Sequence, residues 1–351
     1  MSTLASPNPD TAAAPSRSFE DDKPSGVLLF ANPYSGSGPN DRWVEMFAQQ
    51  VSDAGLKARI VWDARSRVSV LRESADAAND GVSTPPWILA AGGDGSVAAV
   101  LNDMAAAGVA DWPFATLPVG NENLFARHFG IDRRRPQDLI AALARGWTRP
   151  IDLGRIERND EDSDPSARLF TLMASTGFDA DVVHRVDRWR SETADSGQIR
   201  RVSLSSYVPR MAGSLREYAF PRVTLTPADG IHAGQSLTGC HIFVFNLPEY
   251  GKDLGICRHA RADDGLLDFV VFTKPGRVRL LNYLRAAAMG GRHLRRADVI
   301  HGQATSFAFT TDASQPVPLQ ADGDPAGHVT PDAPVTIAAA PDAARVVHTT
   351  A

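Results

Sequence analysis

The sequence predicts an α/β protein in two parts: a parallel sheet covered by helices on both faces, then a second domain built on antiparallel strands. Three observations predict it. The 351 residues are too many for one ordinary compact core, and 43% hydrophobic with 22% charged residues suits a soluble protein that buries a core in each of two domains. Short apolar runs bounded by turn residues alternate with helix-like stretches up to about Pro150. Beyond that point the alternation weakens and strand-like runs dominate.

Residues 1–25 mix Ser, Pro, Ala and acids with almost no large apolar side chain, a composition that cannot offset ordering entropy and predicts a disordered tail. The first domain is expected over 26–150. Its strand-like runs are Val27 to Phe30, Ala58 to Trp62, Trp87 to Ala91 and Phe114 to Leu117, with helices near 41–54, 67–79 and 96–106 between them. The second domain is expected over 151–340, with 341–351 available to return to the first. A polar insertion, Arg158 to Ser166, interrupts two strand-like runs there. Beyond lie Leu169 to Ser175, Arg222 to Thr226, His241 to Phe245, Leu266 to Phe272, Ser306 to Thr310 and Val335 to Ala339, with helices near 179–190, 205–217 and 277–288.

No run of about 18 uninterrupted apolar residues occurs, and no basic segment followed by an apolar stretch opens the chain, so a spanning helix and a secretory leader are not expected. Two cysteines, Cys240 and Cys257, are too few for a disulfide framework and agree with a reducing, cytoplasmic compartment. The net charge of -5 offers no global attraction to nucleic acid or anionic lipid, which makes any basic surface local. Arginines do cluster at 133–135, at 185–201 and at 292–296, where solvated helix faces are the ordinary explanation and contact with a membrane or phosphate the alternative.

The strongest chemical feature is Ala90-Ala91-Gly92-Gly93-Asp94-Gly95-Ser96, which follows an apolar strand and opens a helix. Glycines let the backbone turn sharply and approach a ligand, and amides at a helix start point at an anion with the dipole behind them. That geometry suits phosphates. A carboxylate among them repels phosphate unless it meets a metal ion or a substrate hydroxyl, so Asp94 points to phosphoryl transfer. A second turn, Asn32-Pro33-Tyr34-Ser35-Gly36-Ser37-Gly38, follows the first strand. In a doubly wound sheet such turns gather at the carboxyl edge, so both are expected to face one cleft. A third segment, Leu117 to Arg127, again leads from a strand into a helix; its Asn123 is placed to bond a base or phosphate, or only to cap the helix. Asp263-Asp264-Gly265 and Asp322-Gly323-Asp324 pair carboxylates with turns.

Taken together and in this order, these segments, with Gly177-Phe178-Asp179-Ala180, resemble the diacylglycerol kinase catalytic family, the bacterial lipid kinases similar to sphingosine and ceramide kinases. The resemblance runs from about Val27 to Ala340. It implies a three-layer, doubly wound nucleotide-binding domain joined to a β-sandwich-like lipid-binding domain, with ATP and the acceptor lipid meeting between them. It implies ATP held by Asn32, Pro33, Ser35 and Gly36, by Gly92, Gly93, Gly95 and Ser96, and by Gly120, Asn121 and Asn123. Asp94 and Asp324 match the positions credited with deprotonating the acceptor, Asp179 a lipid head-group contact, and Asp264 a structural magnesium ligand. Magnesium on the phosphates is also expected on physical grounds, because it neutralises charge developing during transfer. The implied partner is a lipid at a membrane surface with peripheral attachment, not nucleic acid; a homodimer is left open.

The chain departs from the pattern in four places. Ala98 and Ala99 stand where the family usually has Asn-Glu, Asn121 where Thr is usual, Glu122 and Leu124 where Gly and Asp are commoner, and Asp324 where Glu is common. These departures keep open a non-catalytic nucleotide or lipid sensor of the same fold. NAD kinase and phosphofructokinase carry a similar glycine turn, so a kinase of a soluble acceptor is the further alternative; neither accounts for Asn32 to Gly36 together with Asp263 to Asp268. Zinc at Cys240, His241, Cys257 and His259 is not expected, because neighbours on a strand point to opposite faces.

Overall fold

A computed structural model of the chain describes residues 26–349 apart from 34, 37–39, 159–166, 196–210, 212 and 252–253. The tail reading for 1–25, the polar insertion from 159 onward and most of the helix expected at 205–217 lie outside the described residues; 213–217 are helical.

The first third alternates strictly: β1 (Val27–Ala31), α1 (Asp41–Asp53), β2 (Ala58–Val61), α2 (Arg67–Asn79), β3 (Trp87–Gly92), α3 (Asp94–Ala106) and β4 (Pro113–Pro118). The strands run parallel in the order β2-β1-β3-β4. Every residue of β1, β3 and β4 is buried, as expected of a parallel sheet with helices on both faces. α1 shows why these helices form. Val44, Phe47, Ala48 and Val51 recur at helical spacing and are its buried residues, while Asp41 sits at the positive end of the dipole. Two short helices follow, α4 (Leu124–His128) and α5 (Pro136–Arg145); Pro136 opens α5, and Gly146 closes it in the left-handed region at φ 74.

The remainder is β5 (Thr148–Arg158), β6 (Arg168–Phe170), β7 (Met173–Thr176), α6 (Phe178–Asp195), β8 (Val223–Pro227), β9 (Leu237–Gly239), β10 (His241–Phe245), β11 (Leu267–Phe272), α7 (Arg277–Ala288), β12 (Val299–Ala304), β13 (Ser306–Thr311), β14 (Val317–Ala321), β15 (Asp324–Val329) and β16 (Val335–Val347). A six-stranded antiparallel sheet has the order β12-β11-β10-β7-β14-β15. The other face of the sandwich comes from β8, β9, β13, β5 and the first half of β16. Between the two sheets lies an apolar core that includes Ile242, Val244, Phe269, Phe307, Phe309, Leu319 and Ile337. Alternation is clean on β13, where Phe307 and Phe309 are buried and Ala308 and Thr310 exposed. Truncating either phenylalanine to alanine costs about 3–5 kcal/mol.

β16 splices the two halves. Its first residues pair with β13 and β5, its register shifts between Ala340 and Ala344, and Arg345 and Val346 then run parallel to β4. Asp342 stands at that shift with φ 50. Its amide donates to Asp152 Oδ1 at 3.0 Å, while Gly265 N donates to Asp152 Oδ2 at 2.7 Å. One carboxylate thus ties β16 to the turn before β11.

The structure departs from the sequence reading in a few elements. The run Leu169 to Ser175 is two strands, because the amides of Thr171, Leu172 and Met173 all turn toward the Asp322 carboxylate. The helix expected at 96–106 begins at Asp94 and that at 179–190 extends to Asp195. β9, β12, β14 and β15 are strands that the sequence pattern does not predict; β15 carries Pro325 and Gly327, and it is an edge strand, where both are tolerated.

Candidate active site

β1, β3 and β4 are neighbours, so the bends after their carboxyl ends lie side by side. Hydrogen bonds fasten the three together. Asn32 N donates to Ala91 O at 3.1 Å, and Val119 N to Gly92 O at 3.1 Å. Ser96 Oγ lies 3.4 Å from both Asn32 Nδ2 and Ser35 Oγ. Asn40 Nδ2 donates to the carbonyls of Ser35 and of Val119, the latter at 3.3 Å.

The glycines are there for space. A β-carbon on Gly92 would lie 2.1 Å from Ser96 Oγ, one on Gly36 2.3 Å from Val119 O, and one on Gly120 2.4 Å from the Gly93 Cα. Gly36 also needs a positive φ of 73. The result is a cradle of main chain at the start of α3, a thirteen-residue helix whose first turn has no side-chain cap and whose dipole favours an anion. Asn123 shapes the third bend from within. It sits in the left-handed region at φ 52, accepts from Gly120 N at 2.9 Å and donates to Gly120 O at 2.9 Å. Both its side-chain ends are therefore spent on the bend. Asn121 is exposed on the same loop.

The two candidate bases have different surroundings. Asp94 accepts from Leu124 N at 3.0 Å and Phe125 N at 2.9 Å, so its carboxylate holds the start of α4. Burial pushes its pKa up, against those amides and Arg127. Asp324, at the head of β15, points at the glycine turn: a β-carbon on Gly95 would lie 3.2 Å from Asp324 Oδ2. Burial raises its pKa as well, while Arg168 and Arg190 pull it down. Asp322 places it. At φ 51, Asp322 takes Thr171 N, Thr171 Oγ1, Leu172 N and Met173 N on its carboxylate at 2.6 to 3.0 Å, which fixes the turn from β14 into β15. Asn102 bolts α3 to the other half, accepting from Leu169 N at 2.8 Å and donating to Leu169 O at 2.9 Å.

Asp179, at the start of α6, is linked to the same turn. Its Oδ2 accepts from Ser175 Oγ at 2.7 Å and Gln320 Nε2 at 2.8 Å, and its Oδ1 from Tyr250 OH at 2.6 Å. Gln320 Oε1 in turn receives Gly323 N at 2.9 Å. Burial raises the Asp179 pKa against these three donors. Sequence reasoning missed Asn40, Gln320, Tyr250 and Asp322 as parts of this network. Two left a signal: Asp322 as a member of the Asp-Gly-Asp turn, and Gln320 as a lone amide in the otherwise apolar run of β14.

Asp264 stands elsewhere, in the wall of a cavity of ≈ 710 Å³ that also includes Cys257, His259, Asp268 and His301 but no residue of the three bends. Burial and the nearby Asp152 and Asp263 carboxylates push its pKa up, with Leu266 N donating to its Oδ1 at 3.1 Å. A hard oxygen donor among like charges fits a magnesium ion held by one carboxylate and otherwise by water. No group of three or more metal-ligating side chains occurs among the described residues, and both cysteines are free and buried.

The model of the diacylglycerol kinase catalytic domain matches residues 26–156, and that of the YegS C-terminal NAD kinase beta sandwich-like domain matches residues 173–348. A diacylglycerol kinase of Mycobacterium tuberculosis is 31% identical over 262 residues, 74% of this chain and 76% of that one. The chain belongs to the diacylglycerol kinase family. Solved structures agree at the level of fold. A diacylglycerol kinase from Bacillus anthracis superposes with TM-score 0.60 at 15% identity, over 92% of this chain and 97% of that one. Yeast NADH kinase superposes with TM-score 0.53 at 9% identity, over 96% and 90%. As a member of this lipid kinase family the chain has an N-terminal α/β domain and a C-terminal β-sandwich-like domain, and the family implies nucleotide use. No helix among the described residues is long and apolar enough to cross a membrane.

Proposed function

We propose that the chain transfers the γ-phosphate of MgATP to a lipid hydroxyl, of diacylglycerol or a sphingoid-like acceptor, at a membrane surface. The observation that carries this reading is the approach of Asp324 to Gly95, which brings a carboxylate from the second half of the chain to the helix start where phosphates are best received. Asn32, Pro33, Ser35 and Gly36, with Gly92 to Ser96 and Gly120 to Asn123, form the phosphate cradle. Bound magnesium would neutralise charge on the phosphates during transfer, and Asp264 would hold a second, structural ion. Asp324 takes the acceptor proton; Asp94, committed to two amides, keeps α4 and the third bend in place. Asp179 receives the polar end of the acceptor, exchanging one of its three present donors for the incoming hydroxyl.

The test is transfer from labelled ATP with magnesium to a panel of diacylglycerol, sphingoid base, phosphatidylglycerol, NADH and fructose 6-phosphate, with Asp324→Asn alongside. Lipid labelling that disappears in the variant supports the reading. Labelling of a soluble acceptor alone would overturn the lipid assignment, and nucleotide binding without transfer to any acceptor would favour a sensor.

A further inference from the structure

α7 is apolar on two opposite faces. Leu280, Tyr283 and Ala287 are buried against the protein, and Leu284 packs beside them. Val278, Leu281 and Met289 point the other way and are 72%, 55% and 45% exposed. At about 100° per residue these three fall, with Arg285, within an arc of about 80°. In water a surface helix turns charged or polar residues outward. An outward stripe of valine, leucine and methionine therefore calls for a partner.

Charge identifies the partner. From Lys274 to Arg296 there are seven lysines and arginines and no aspartate or glutamate, in a chain whose net charge is -5. Arg296 pairs with Asp298 at 2.9 Å and Arg279 lies 3.7 Å from the same carboxylate. Among the described residues Arg285, Arg292 and Arg295 form no ion pair and are exposed. A second copy docked through a two-fold axis would set these arginines against each other, since such an interface uses the same patch on both subunits. An apolar stripe flanked by unpaired arginines suits an interfacial helix on an anionic bilayer.

We infer that α7 is a membrane-docking helix, with Val278, Leu281 and Met289 entering the headgroup boundary of an anionic lipid surface while Arg285, Arg292 and Arg295 meet its phosphates. This deepens the lipid kinase reading and rests on it for its purpose. On its inner side Leu280 and Leu284 pack in one small cluster with Phe178, Val182 and Val186 of α6. Since α6 begins with the Asp179 region, docking brings the acceptor end of the site close to the bilayer.

The full chain is mixed, without nucleotide, with vesicles of phosphatidylcholine alone and with phosphatidylglycerol added, and the bound fraction is read by sedimentation. Binding is expected on the anionic vesicles only, falling as salt is raised. Neutralising an arginine weakens it by about fivefold, so Arg285→Gln, Arg292→Gln and Arg295→Gln together lose about a hundredfold. Leu281→Ser with Met289→Ser loses at least about tenfold. Thermal melts check that each variant folds, and single Arg285→Glu stands in should the serine variant melt early. Equal binding to both vesicle types, no binding, or unchanged binding in the variants would overturn the inference. So would a dimer in solution that the serine variant dissolves. Because no acceptor or nucleotide is present, failure of phosphotransfer leaves this result standing, and the reverse also holds.

Discussion

Gly93 and Gly120 meet main chain to main chain: any β-carbon on Gly120 would sit 2.4 Å from the Gly93 Cα and 2.9 Å from Gly93 N. Neither residue has a positive φ, so the requirement is space alone. Two bends from different strands can thus present their amides to a single ligand.

Gly120→Ala must push the two bends apart while leaving the backbone conformation allowed. A displacement of about 1 Å at a reacting centre can cost about a hundredfold in rate. Nucleotide affinity and kcat/KM are expected to fall together by about that factor, and the melting temperature falls as well, because the added carbon meets main chain that must shift at a cost of about 1–3 kcal/mol. Gly55→Ala, at a glycine with open space around it, is not a matched control because its φ is 88. The matched comparison is Ala98→Gly, a buried position in α3 outside the bends.

Asp324 and Asp94 separate by what is lost. If Asp324 takes the acceptor proton, Asp324→Asn lowers kcat by about 10²–10⁴-fold and leaves nucleotide binding intact. Asp94→Asn offers only one oxygen where Leu124 N and Phe125 N now find two, leaving an amide badly matched at a cost of about 1–3 kcal/mol. Its signature is a lower melting temperature and weaker nucleotide binding. Reversed signatures, measured by calorimetric binding and turnover, would exchange the two roles.

The pH profile follows from the same assignment. Asp324 must be ionised to accept a proton, and burial raises its pKa above the ordinary carboxylate range. Turnover therefore rises with pH through that raised pKa and is lost on the acid side. Arg168, whose charge lowers the Asp324 pKa and whose guanidinium donates to the Pro325 carbonyl, holds the midpoint down. Arg168→Gln moves the acid limb to higher pH, and Arg168→Lys restores it. An acid limb indifferent to both changes would remove Asp324 from the proton transfer.

The parallel half of the fold was legible because each strand there is a short apolar run closed by a turn residue, and α2 begins and ends at the residues its pattern predicts. The glycine bends were legible because Gly and Asn punctuate strand ends. What stayed hidden depends on contacts far apart in sequence. The strand-like run before Arg158 is β5, but its pairing along nearly the whole of β16 shows only in the fold. Gly154 itself makes room for the Phe170 ring, whose nearest atom would lie 1.9 Å from an added β-carbon. Asp322 and Asp324 looked alike as members of one Asp-Gly-Asp turn. Only the fold separates them, sending one carboxylate to four donors at Thr171 to Met173 and the other to Gly95.

His241 carries the last expectation, a loss of stability in mild acid. It is 2% exposed on β10, with Tyr218 and Phe220 against its ring. Its Nδ1 accepts from Phe178 N at 3.2 Å, so the neutral ring carries its proton on Nε2, which has no partner among the described residues. Protonation would turn Nδ1 into a donor facing a donor, inside apolar surroundings. Burial accordingly lowers its pKa from 6.5 to about 4. Below pH 6.5 the unfolded chain binds a proton that the folded one refuses, so stability present at neutral pH is lost as pH falls from 6.5 toward 4. The full gap is worth up to about 3 kcal/mol. His241→Gln keeps an acceptor for Phe178 N and does not titrate. Melting curves at pH 7.5 and 4.5 should show a smaller acid-induced drop in the variant than in the wild type. Equal drops would mean that other groups govern the acid sensitivity of this fold.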